Sequence, residues 1–340
     1  MTNNYDICLP KIRGTFDAQL AEMEERLSRH LADEEAKGRH LIYSKVFLSD
    51  AQNQYTSLVD SKLYKSLLST AATTAIEQPP ACGSKIGVLT VCGNASHALF
   101  HSMRLSEEEA AGNDSYTQTS LLFQRYISDM EAKGLNMATH LVRTWIYVAG
   151  IDTNYAGVVK ARNDIFRKHG MTADTHFVAS TGIGGYTQTR SALVAIDFLT
   201  YPNIKEEDKK YLKALDHLNP THEYGVAFER GTKLSLPDEA SPIYYISGTA
   251  SIDKRGKVVN EGDVTLQACR LLENIEALLN DGGASLDDIK YLIVYLRDLS
   301  DRDIVEEYME QRFPAIPHIT VQAKVCRPQW LIEMECVARG

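Results

Sequence analysis

Three times along the chain, apolar and polar positions follow the same order: an amphipathic helix, a glycine, an apolar strand and a second helix. In the first copy, apolar residues recur every three or four positions over residues 16–37, which predicts a helix with one buried face. Gly38 is the expected C-cap, since glycine adopts a positive φ at little cost. A strand is predicted over residues 40–48, followed by a helix that contains Tyr55 and Leu58.

Two further copies follow this pattern. The second begins near Tyr116 and predicts a strand over residues 140–148 and a helix over residues 154–168. The third has the clearest amphipathic helix, which starts after the N-cap Asp263 and leads to a strand over residues 289–296. Further strand-like runs lie at residues 86–91, 98–105, 176–179, 243–246, 319–323 and 331–337.

The pattern predicts an α+β fold of repeated units, each a small mixed sheet with two helices packed on one face. An ordinary α+β chain also repeats helix, glycine and strand. The inference therefore depends on matching local residues, such as Glu-Ala-Lys-Gly at the ends of the first two long helices. We expect a degenerate first unit at residues 1–95, a second unit at 96–205, a polar linker at 206–223 and a C-terminal unit at 224–340.

Composition narrows the classes of partner. The formal net charge of the 340-residue chain is −9, and no block of lysine and arginine offsets it, so a nucleic-acid partner is not expected. No apolar run is long enough to predict a membrane span, and the N-terminal residues lack the apolar core of a secretory signal. These features predict a cytoplasmic protein without a membrane partner.

The six cysteines are scattered without a C-x-x-C pair, and the ten histidines show no H-E-x-x-H spacing. This pattern favours reduced thiols over a disulfide framework, and it predicts neither a metal site nor a bound cofactor.

Residues 243–338 resemble the RidA/YjgF family. The matching pieces are Ile246-Ser-Gly-Thr-Ala-Ser-Ile252, Gly262-Asp263, Gln267, Asn274-Ile275 and Leu331-Ile-Glu-Met-Glu335. The resemblance implies a small sheet with two helices, assembly as a trimer and sites in the clefts between subunits. Three such units in one chain imply a covalent pseudo-trimer, either monomeric or within a homo-oligomer.

Most of the chain also resembles the tandem branch of that family, which includes the chorismatases. The collinear pieces are Gln78-Pro79-Pro80, Arg143-Thr-Trp-Ile-Tyr147, Tyr155 with Arg162, Thr181-Gly-Ile-Gly-Gly185, and Val325-Cys-Arg-Pro328 leading to Glu333. The resemblance implies that Glu333 is the catalytic acid, that Cys326 is a second catalytic residue lining the same pocket, and that Tyr155 and Arg162 bind the substrate.

Glu333 and Glu335 lie two residues apart on a predicted strand, so both side chains point to the same face. If they are buried in a cleft, one of them has a raised pKa and can donate a proton near neutral pH. The alternative is that both carboxylates face solvent. For Cys326, the residue alone is equally consistent with a buried, inert thiol.

The small residues Gly248, Thr249 and Ala250 follow a predicted strand, where small side chains let a ligand approach the backbone and bind its N–H groups. The alternative is a tight bend packed against a neighbouring strand. A dianionic substrate also needs cations, and arginine forks suit carboxylates. The candidate substrate-binding arginines are Arg143, Arg162, Arg230 and Arg327, although surface ion pairs are an alternative for all but Arg162.

Three residues depart from the family patterns. RidA deaminases carry an arginine after Pro-Ala, where this chain has Ile316, which disfavours simple deaminase activity. Chorismatases carry an asparagine after the strand tryptophan and a glycine before the helix arginine, where this chain has Ile146 and Ala161. The substrate is therefore not fixed by the resemblance.

The leading hypothesis is a cofactor-free enzyme that acts on a small, carboxylate-bearing enol ether such as chorismate and releases pyruvate and a cyclic hydroxy acid. A second hypothesis is RidA-like hydrolysis of an enamine or imine, with Arg327 in place of the missing arginine. The third is a non-catalytic metabolite-binding or interaction module, which a side-chain-filled cleft at Glu333 would favour.

Overall fold

A computed structural model describes residues 3–94 and 97–340 of the chain. Three mixed sheets with their helices make up this structure, which confirms the predicted α+β architecture of repeated units. The predicted boundary between the first and second units, at residues 95 and 96, lies outside the described residues.

The first unit is a four-stranded sheet in the order β1-β4-β2-β3, in which only β2 and β3 are parallel. Its elements are β1 (Asn4–Cys8), α1 (Phe16–Glu35), β2 (His40–Leu48), α2 (Ala51–Asp60), β3 (Ala72–Glu77) and β4 (Ile86–Gly93). The Thr15 hydroxyl caps α1 by accepting from the Ala18 N–H, and Gly38 has a φ of 73° just after the helix, as its pattern predicts.

The second unit repeats this topology in the order β5-β8-β6-β7. Its elements are β5 (Leu99–Met103), α3 (Glu107–Ala110), α4 (Ser115–Glu131), α5 (Met137–His140), β6 (Leu141–Val148), α6 (Ile151–Lys168), β7 (Ala179–Gly184) and β8 (Val194–Thr200). Helices α4 and α6 pack on one face of the sheet, and every residue of β6 is buried.

The third unit has a six-stranded sheet in the order β13-β12-β14-β11-β10-β9. Its elements are β9 (Lys209–Tyr211), β10 (Gly231–Leu234), β11 (Ile243–Ala250), α7 (Val264–Gly282), β12 (Ile289–Leu296), α8 (Arg302–Arg312), β13 (His318–Gln322) and β14 (Ile332–Arg339). Strand β9 lies within residues 206–223, so the segment expected as a linker contributes the edge strand of this sheet.

Short helical turns complete the structure. They lie at Leu63–Leu67, Leu68–Thr70, Glu206–Asp208, Thr221–Tyr224, Leu286–Asp288 and Leu299–Asp301. In the described residues, no helix combines the length and apolar character that crossing a membrane requires.

Each sheet has an irregularity at the same place in its long central strand, which aligns the three units residue by residue. The register shifts fall between Leu41 and Tyr43 in β2, Leu141 and Arg143 in β6, and Ile289 and Tyr291 in β12. Four residues after each shift, the neighbouring antiparallel strand presents Gly87, Ala195 and Glu333 respectively. These three positions are therefore equivalent.

Backbone hydrogen bonds join each unit to the other two. The Glu77 N–H donates to the Tyr186 carbonyl at 2.8 Å, between the first and second units. Equivalent bonds, of 2.8 Å from Gly184 N to Lys324 O and of 2.7 Å from Gln322 N to Pro79 O, link the second unit to the third and the third to the first. An apolar core that draws residues from all three sheets lies between them.

A candidate active site between the second and third units

A cavity of about 660 Å³ opens between the second and third units. Helix α6 and strand β7 form one wall, and β11, β14 and the segments at 224–230 and 326–330 form the other. Eight of the ten sequence-predicted site residues line it: Tyr155, Arg162, Arg230, Gly248, Ala250, Cys326, Arg327 and Glu333. The structure thus brings together residues that lie up to 178 positions apart in the chain.

Glu333 lies near the start of β14, in register with Ala250 of β11 and Tyr295 of β12. Gly248 stands beside it, and a Cβ added to Gly248 would collide with the Glu333 carboxyl. Glycine is therefore needed here to make room for the acid. The sequence suggested that backbone N–H groups of this segment bind a substrate carboxylate. The Gly248 N–H instead donates to the Thr181 hydroxyl at 2.9 Å, so this amide is already occupied.

The Glu333 side chain is buried, which contradicts the solvent-facing alternative. Burial raises its pKa, the negative charge of Glu335 raises it further, and Arg230 opposes both effects; the resulting pKa is about 8. No hydrogen bond from the described part of the chain reaches this carboxyl. Glu333 is therefore a neutral carboxylic acid near pH 7, which is the state that a proton donor requires.

Glu335 is the opposite case on the same strand face. Burial raises its pKa, but the charges of Arg143 and Lys45, with hydrogen bonds from Thr181 and Trp145, outweigh burial and lower the pKa overall. Glu335 is therefore ionised. Two acids on one face thus hold different protonation states because only one of them has a cationic partner in contact.

Four arginines line the cavity: Arg167 is paired with Asp164, and the other three are Arg162, Arg230 and Arg327. None of these three forms an ion pair with a carboxylate of residues 3–94 or 97–340. Arg230 donates to the Asn219 carbonyl at 3.0 Å, and Arg327 donates to the Gly256 carbonyl at 3.1 Å. The cavity therefore carries positive charge that no protein carboxylate neutralises.

Arg162 is the most constrained of these groups. Its side chain is 1% exposed, and its Nε and Nη2 atoms have no hydrogen-bond partner in the described structure. Burial lowers the pKa of Arg162 and that of Arg230, because each guanidinium has lost water without gaining a counterion. A bound carboxylate would satisfy these donors and offset this cost.

Aromatic rings fill the space between the guanidiniums. The Arg327 guanidinium lies 4.6 Å from the ring centroid of Trp330 and 5.3 Å from that of Tyr224. Arg162 lies 5.8 Å from the Phe228 ring. Tyr224, Phe228 and Trp330 were not predicted, because they lie in irregular segments without periodicity; the one available signal was their interleaving with arginines.

Cys326 lines the cavity next to Tyr155. Burial raises the pKa of the Cys326 thiol to about 12, and the neighbouring Glu333 raises it as well. A thiol with this pKa stays protonated at neutral pH, so it is neither a thiolate nucleophile nor a metal ligand in this state. Its contribution is to the shape and polarity of the wall, beside a tyrosine ring that packs over Gly182.

Two predicted substrate-binding residues lie elsewhere. Arg143 is 1% exposed and points into the contact between units, where its Nη2 lies 2.9 Å from Glu335 Oε2 and its Nη1 donates to the Ile246 carbonyl. Thr249 alternates to the other face of its strand from Gly248 and Ala250, and its hydroxyl donates to the Ser247 carbonyl. Neither side chain lines the cavity.

The acid occurs at only one of the three equivalent positions, since Ala195 and Gly87 stand where the third unit has Glu333. Beside Ala195, the guanidinium of Arg104 fills the contact between the first and second units by bonding to Asp197 and Thr74.

The third contact is filled by apolar side chains. A Cβ added at Gly87 would meet Leu9 and Ile319 at 2.9 and 3.0 Å. Of the three contacts between units, only the one between the second and third units therefore holds a candidate site in the described structure.

Comparisons with known proteins place this geometry in a family. The family model described as endoribonuclease L-PSP matches residues 238–339. A RutC family protein of Pyrococcus abyssi is 35% identical over 98 residues, which are 28% of this chain and 76% of the relative. The 3-aminoacrylate deaminase RutC of Acinetobacter baylyi is 34% identical over 104 residues, 29% of this chain and 81% of the relative.

The chain belongs to the endoribonuclease L-PSP family. The RidA/YjgF resemblance stated from the sequence is thereby confirmed, and the C-terminal unit carries it. A crystal structure of a chorismatase matches 99% of this chain and 98% of its own, with a TM-score of 0.69 and 19% identity. That likeness shows that the two chains share a fold along their whole length.

The departures from the family patterns lie outside the cavity of this L-PSP protein. Ile146 is buried in the core beneath the helices of the second unit, and Ala161 is buried on α6. Ile316 precedes β13, whose Val321 bridges to Pro80 of the first unit. An isoleucine at 316 therefore removes no cation from the cavity, which has three guanidiniums without a carboxylate partner.

We predict that Glu333→Gln stabilises the fold above pH 5. The Glu333 carboxyl has its ordinary pKa of 4.5 in the unfolded chain and a pKa of about 8 when folded. Its contribution to the free energy of unfolding is therefore fully retained below pH 4.5 and is lost as the pH rises towards 8. Glutamine does not titrate and avoids this loss, which is of the order of 4 kcal/mol at pH 8. Thermal unfolding should show equal Tm values near pH 4.5 and a higher Tm for the variant at pH 8.

Glu276→Gln is the matched control, because Glu276 is exposed on α7. Its Tm should follow that of the parent protein at both pH values. Equal Tm values for Glu333→Gln and the parent at pH 8 would contradict a protonated Glu333.

Proposed function

We propose that the chain is a cofactor-free enzyme that cleaves an enolpyruvyl ether, with chorismate as the first substrate to test, to pyruvate and a cyclic hydroxy acid. One observation supports this most directly: a neutral carboxylic acid, Glu333, borders the same cavity as three arginines that have no carboxylate partner. The combination suits a substrate that is anionic and reacts by accepting a proton on carbon.

Proton transfer starts the proposed reaction. Glu333 gives its proton to the terminal methylene carbon of the enol ether, which becomes a methyl group, and the adjacent carbon becomes an oxocarbenium centre. Water adds to that centre and returns a proton to the Glu333 carboxylate. The hemiketal then breaks its C–O bond to the ether oxygen of the ring as its hydroxyl proton passes to that oxygen, and pyruvate and the hydroxy acid leave. An internal hydroxyl that attacks in place of water gives a different cyclic product from the same intermediate.

The arginines hold the substrate during these steps. The buried Nε and Nη2 atoms of Arg162 have no hydrogen-bond partner in the described structure, and a carboxylate that binds the guanidinium with both oxygens would satisfy them. Arg230 and Arg327 flank Tyr224 and supply a second cationic region. Positive charge develops on the carbon next to the one that Glu333 protonates. The Glu333 carboxylate left behind by this step therefore also stabilises the oxocarbenium intermediate.

Hydrolysis of an enamine or imine is the second candidate, and one observation favours it. A relative that is 34% identical over 104 residues is a 3-aminoacrylate deaminase. Ile316 lies outside the cavity, so three unpaired arginines remain there to bind a carboxylate. Ammonia release from 3-aminoacrylate, measured with a coupled dehydrogenase, separates this reaction from ether cleavage. A pure binding module is disfavoured in the form expected from the sequence, since the cleft at Glu333 is open rather than filled.

The first prediction from this proposal concerns Glu333. Purified protein should release pyruvate from chorismate, and Glu333→Gln should lower kcat by about 10²–10⁴-fold because the amide cannot donate an acidic proton. A lactate dehydrogenase-coupled assay measures the pyruvate, with Glu276→Gln as the control that keeps full activity. Undiminished turnover by Glu333→Gln would refute the assignment of the acid.

The pH dependence is a second test. The reaction needs Glu333 protonated, so kcat/KM should be constant below the folded-state pKa and fall as pH rises through about 8. The profile is measured with saturating coupling enzyme at each pH. A profile that instead rises between pH 7 and 9 would indicate a general base and would count against proton donation.

Arg162 is expected to act mainly through binding. Arg162→Gln removes the fork but not the acid, so KM for chorismate should rise at least about tenfold, with a smaller change in kcat. Arg29→Gln, on the exposed face of α1, is the control with unchanged kinetics. An unchanged KM in Arg162→Gln would place the substrate carboxylate elsewhere.

A further inference from the structure

Glu335 shares the β14 face of Glu333 but is not among the residues that line the cavity. Its two carboxylate oxygens are bound by two residues of β6 in the second unit. Arg143 Nη2 lies 2.9 Å from Oε2, and Trp145 Nε1 donates to Oε1 at 2.8 Å. Both charged side chains are 1% exposed, so neither water nor a surface rotamer competes with this arrangement.

The first unit contributes to the same buried cluster. Lys45 of β2 is 2% exposed, its Nζ has no hydrogen-bond partner in the described structure, and its charge acts on Glu335. Burial lowers the pKa of Lys45 to about 8. The first and second units thus each place one cation beside Glu335 of the third unit, and of these two only Arg143 contacts its carboxylate directly.

We propose that Glu335 is a positioning residue for Glu333: held as a carboxylate by Arg143 and Trp145, it places a fixed negative charge behind the acid and favours the neutral, proton-donating form. The contact between the second and third units then sets the protonation state of the site. This inference rests on the proposed function for its catalytic meaning, but its physical content is independent of the substrate.

The geometry gives the direction of this effect. Residues two apart on a strand are separated by about 7 Å, and the intervening space is protein rather than water, so the repulsion between two carboxylates is only weakly screened. The titratable and charged groups around Glu333 are Glu335, Tyr295, Cys326, Arg327, Tyr155, Arg162, Tyr224 and Arg230. Lys160, Asp164 and Arg167 line the same cavity as an ion-paired group on α6. Glu335 is the carboxylate on the strand of Glu333 itself, and Arg230 acts in the opposite direction.

The test is the titration of Glu333 itself. A buried protonated carboxyl gives an infrared C=O band, and the spectrum of the parent protein minus that of Glu333→Gln isolates this band without any substrate. Glu335→Gln removes the negative charge and leaves the positive charge of Arg143 without its counterion. Both consequences favour the ionised form of Glu333. We expect its titration to move to lower pH by roughly one unit, with an equal shift in the falling limb of kcat/KM if the protein turns over chorismate.

Asp197→Asn is the matched control. Asp197 occupies in β8 the position that Glu335 occupies in β14, and it is bound by Arg104 at 2.8 Å in an ion pair that is also largely buried. Removing its charge perturbs an equivalent contact that lies away from Glu333. The titration of Glu333 should therefore be unchanged in this variant.

A second variant covers loss of folding in Glu335→Gln. The double variant Arg143→Met/Glu335→Gln removes both charges, and a neutral pair of similar volume is tolerated better than one uncompensated charge. It should also move the Glu333 titration to lower pH, since the charge closer to Glu333 along its own strand is lost. Circular dichroism establishes that each variant is folded before its titration is compared.

The outcomes are distinct. A lower titration pH in Glu335→Gln or in the double variant, with Asp197→Asn unchanged, supports the positioning role. An unchanged titration in folded Glu335→Gln or the folded double variant overturns it, as does an equal shift in Asp197→Asn. A shifted titration without pyruvate release by the parent protein would refute chorismate cleavage and leave the positioning role supported.

Discussion

The structure depends on a charge pair buried between the second and third units. Arg143 and Glu335 come from different sheets and meet at 2.9 Å, where each is 1% exposed. Removing one partner of such a pair costs about 3–5 kcal/mol, because the remaining charge has neither counterion nor water. The pair therefore fixes how these two sheets lie against each other, and the cavity that opens beside it takes its shape from that contact.

The cavity shows the opposite balance. Glu333 is neutral because no cation contacts it, and Arg162 remains a buried guanidinium without a carboxylate. Both arrangements cost stability in the empty protein, and an anionic ligand that accepts hydrogen bonds and a proton would offset them. Unsatisfied groups of this kind concentrate at functional sites, where binding rather than folding compensates for them.

Joining three units in one chain allows their contacts to differ. In a symmetric homotrimer every interface carries the same residues. Here the position of Glu333 is taken by Ala195 at one contact, where Arg104 fills the space, and by Gly87 at another, where Leu9 packs. Two contacts are thus filled by packed side chains and one holds the candidate site, so the first unit contributes to that site only indirectly.

The sequence by itself determined the helices, the strands and the glycines that end them, because these follow from residues a few positions apart. Its collinear motifs also indicated Glu333. Arg143 was expected in the substrate site, but it pairs with Glu335 of another sheet, and such a pairing cannot be read from a strand sequence. Tyr224 was missed because an aromatic residue in an irregular segment has no periodic signal. Only the tertiary structure decided that Glu333 is protonated while Glu335 is ionised. That difference arises from burial and from Arg143, which lies 192 positions from Glu335 in the chain.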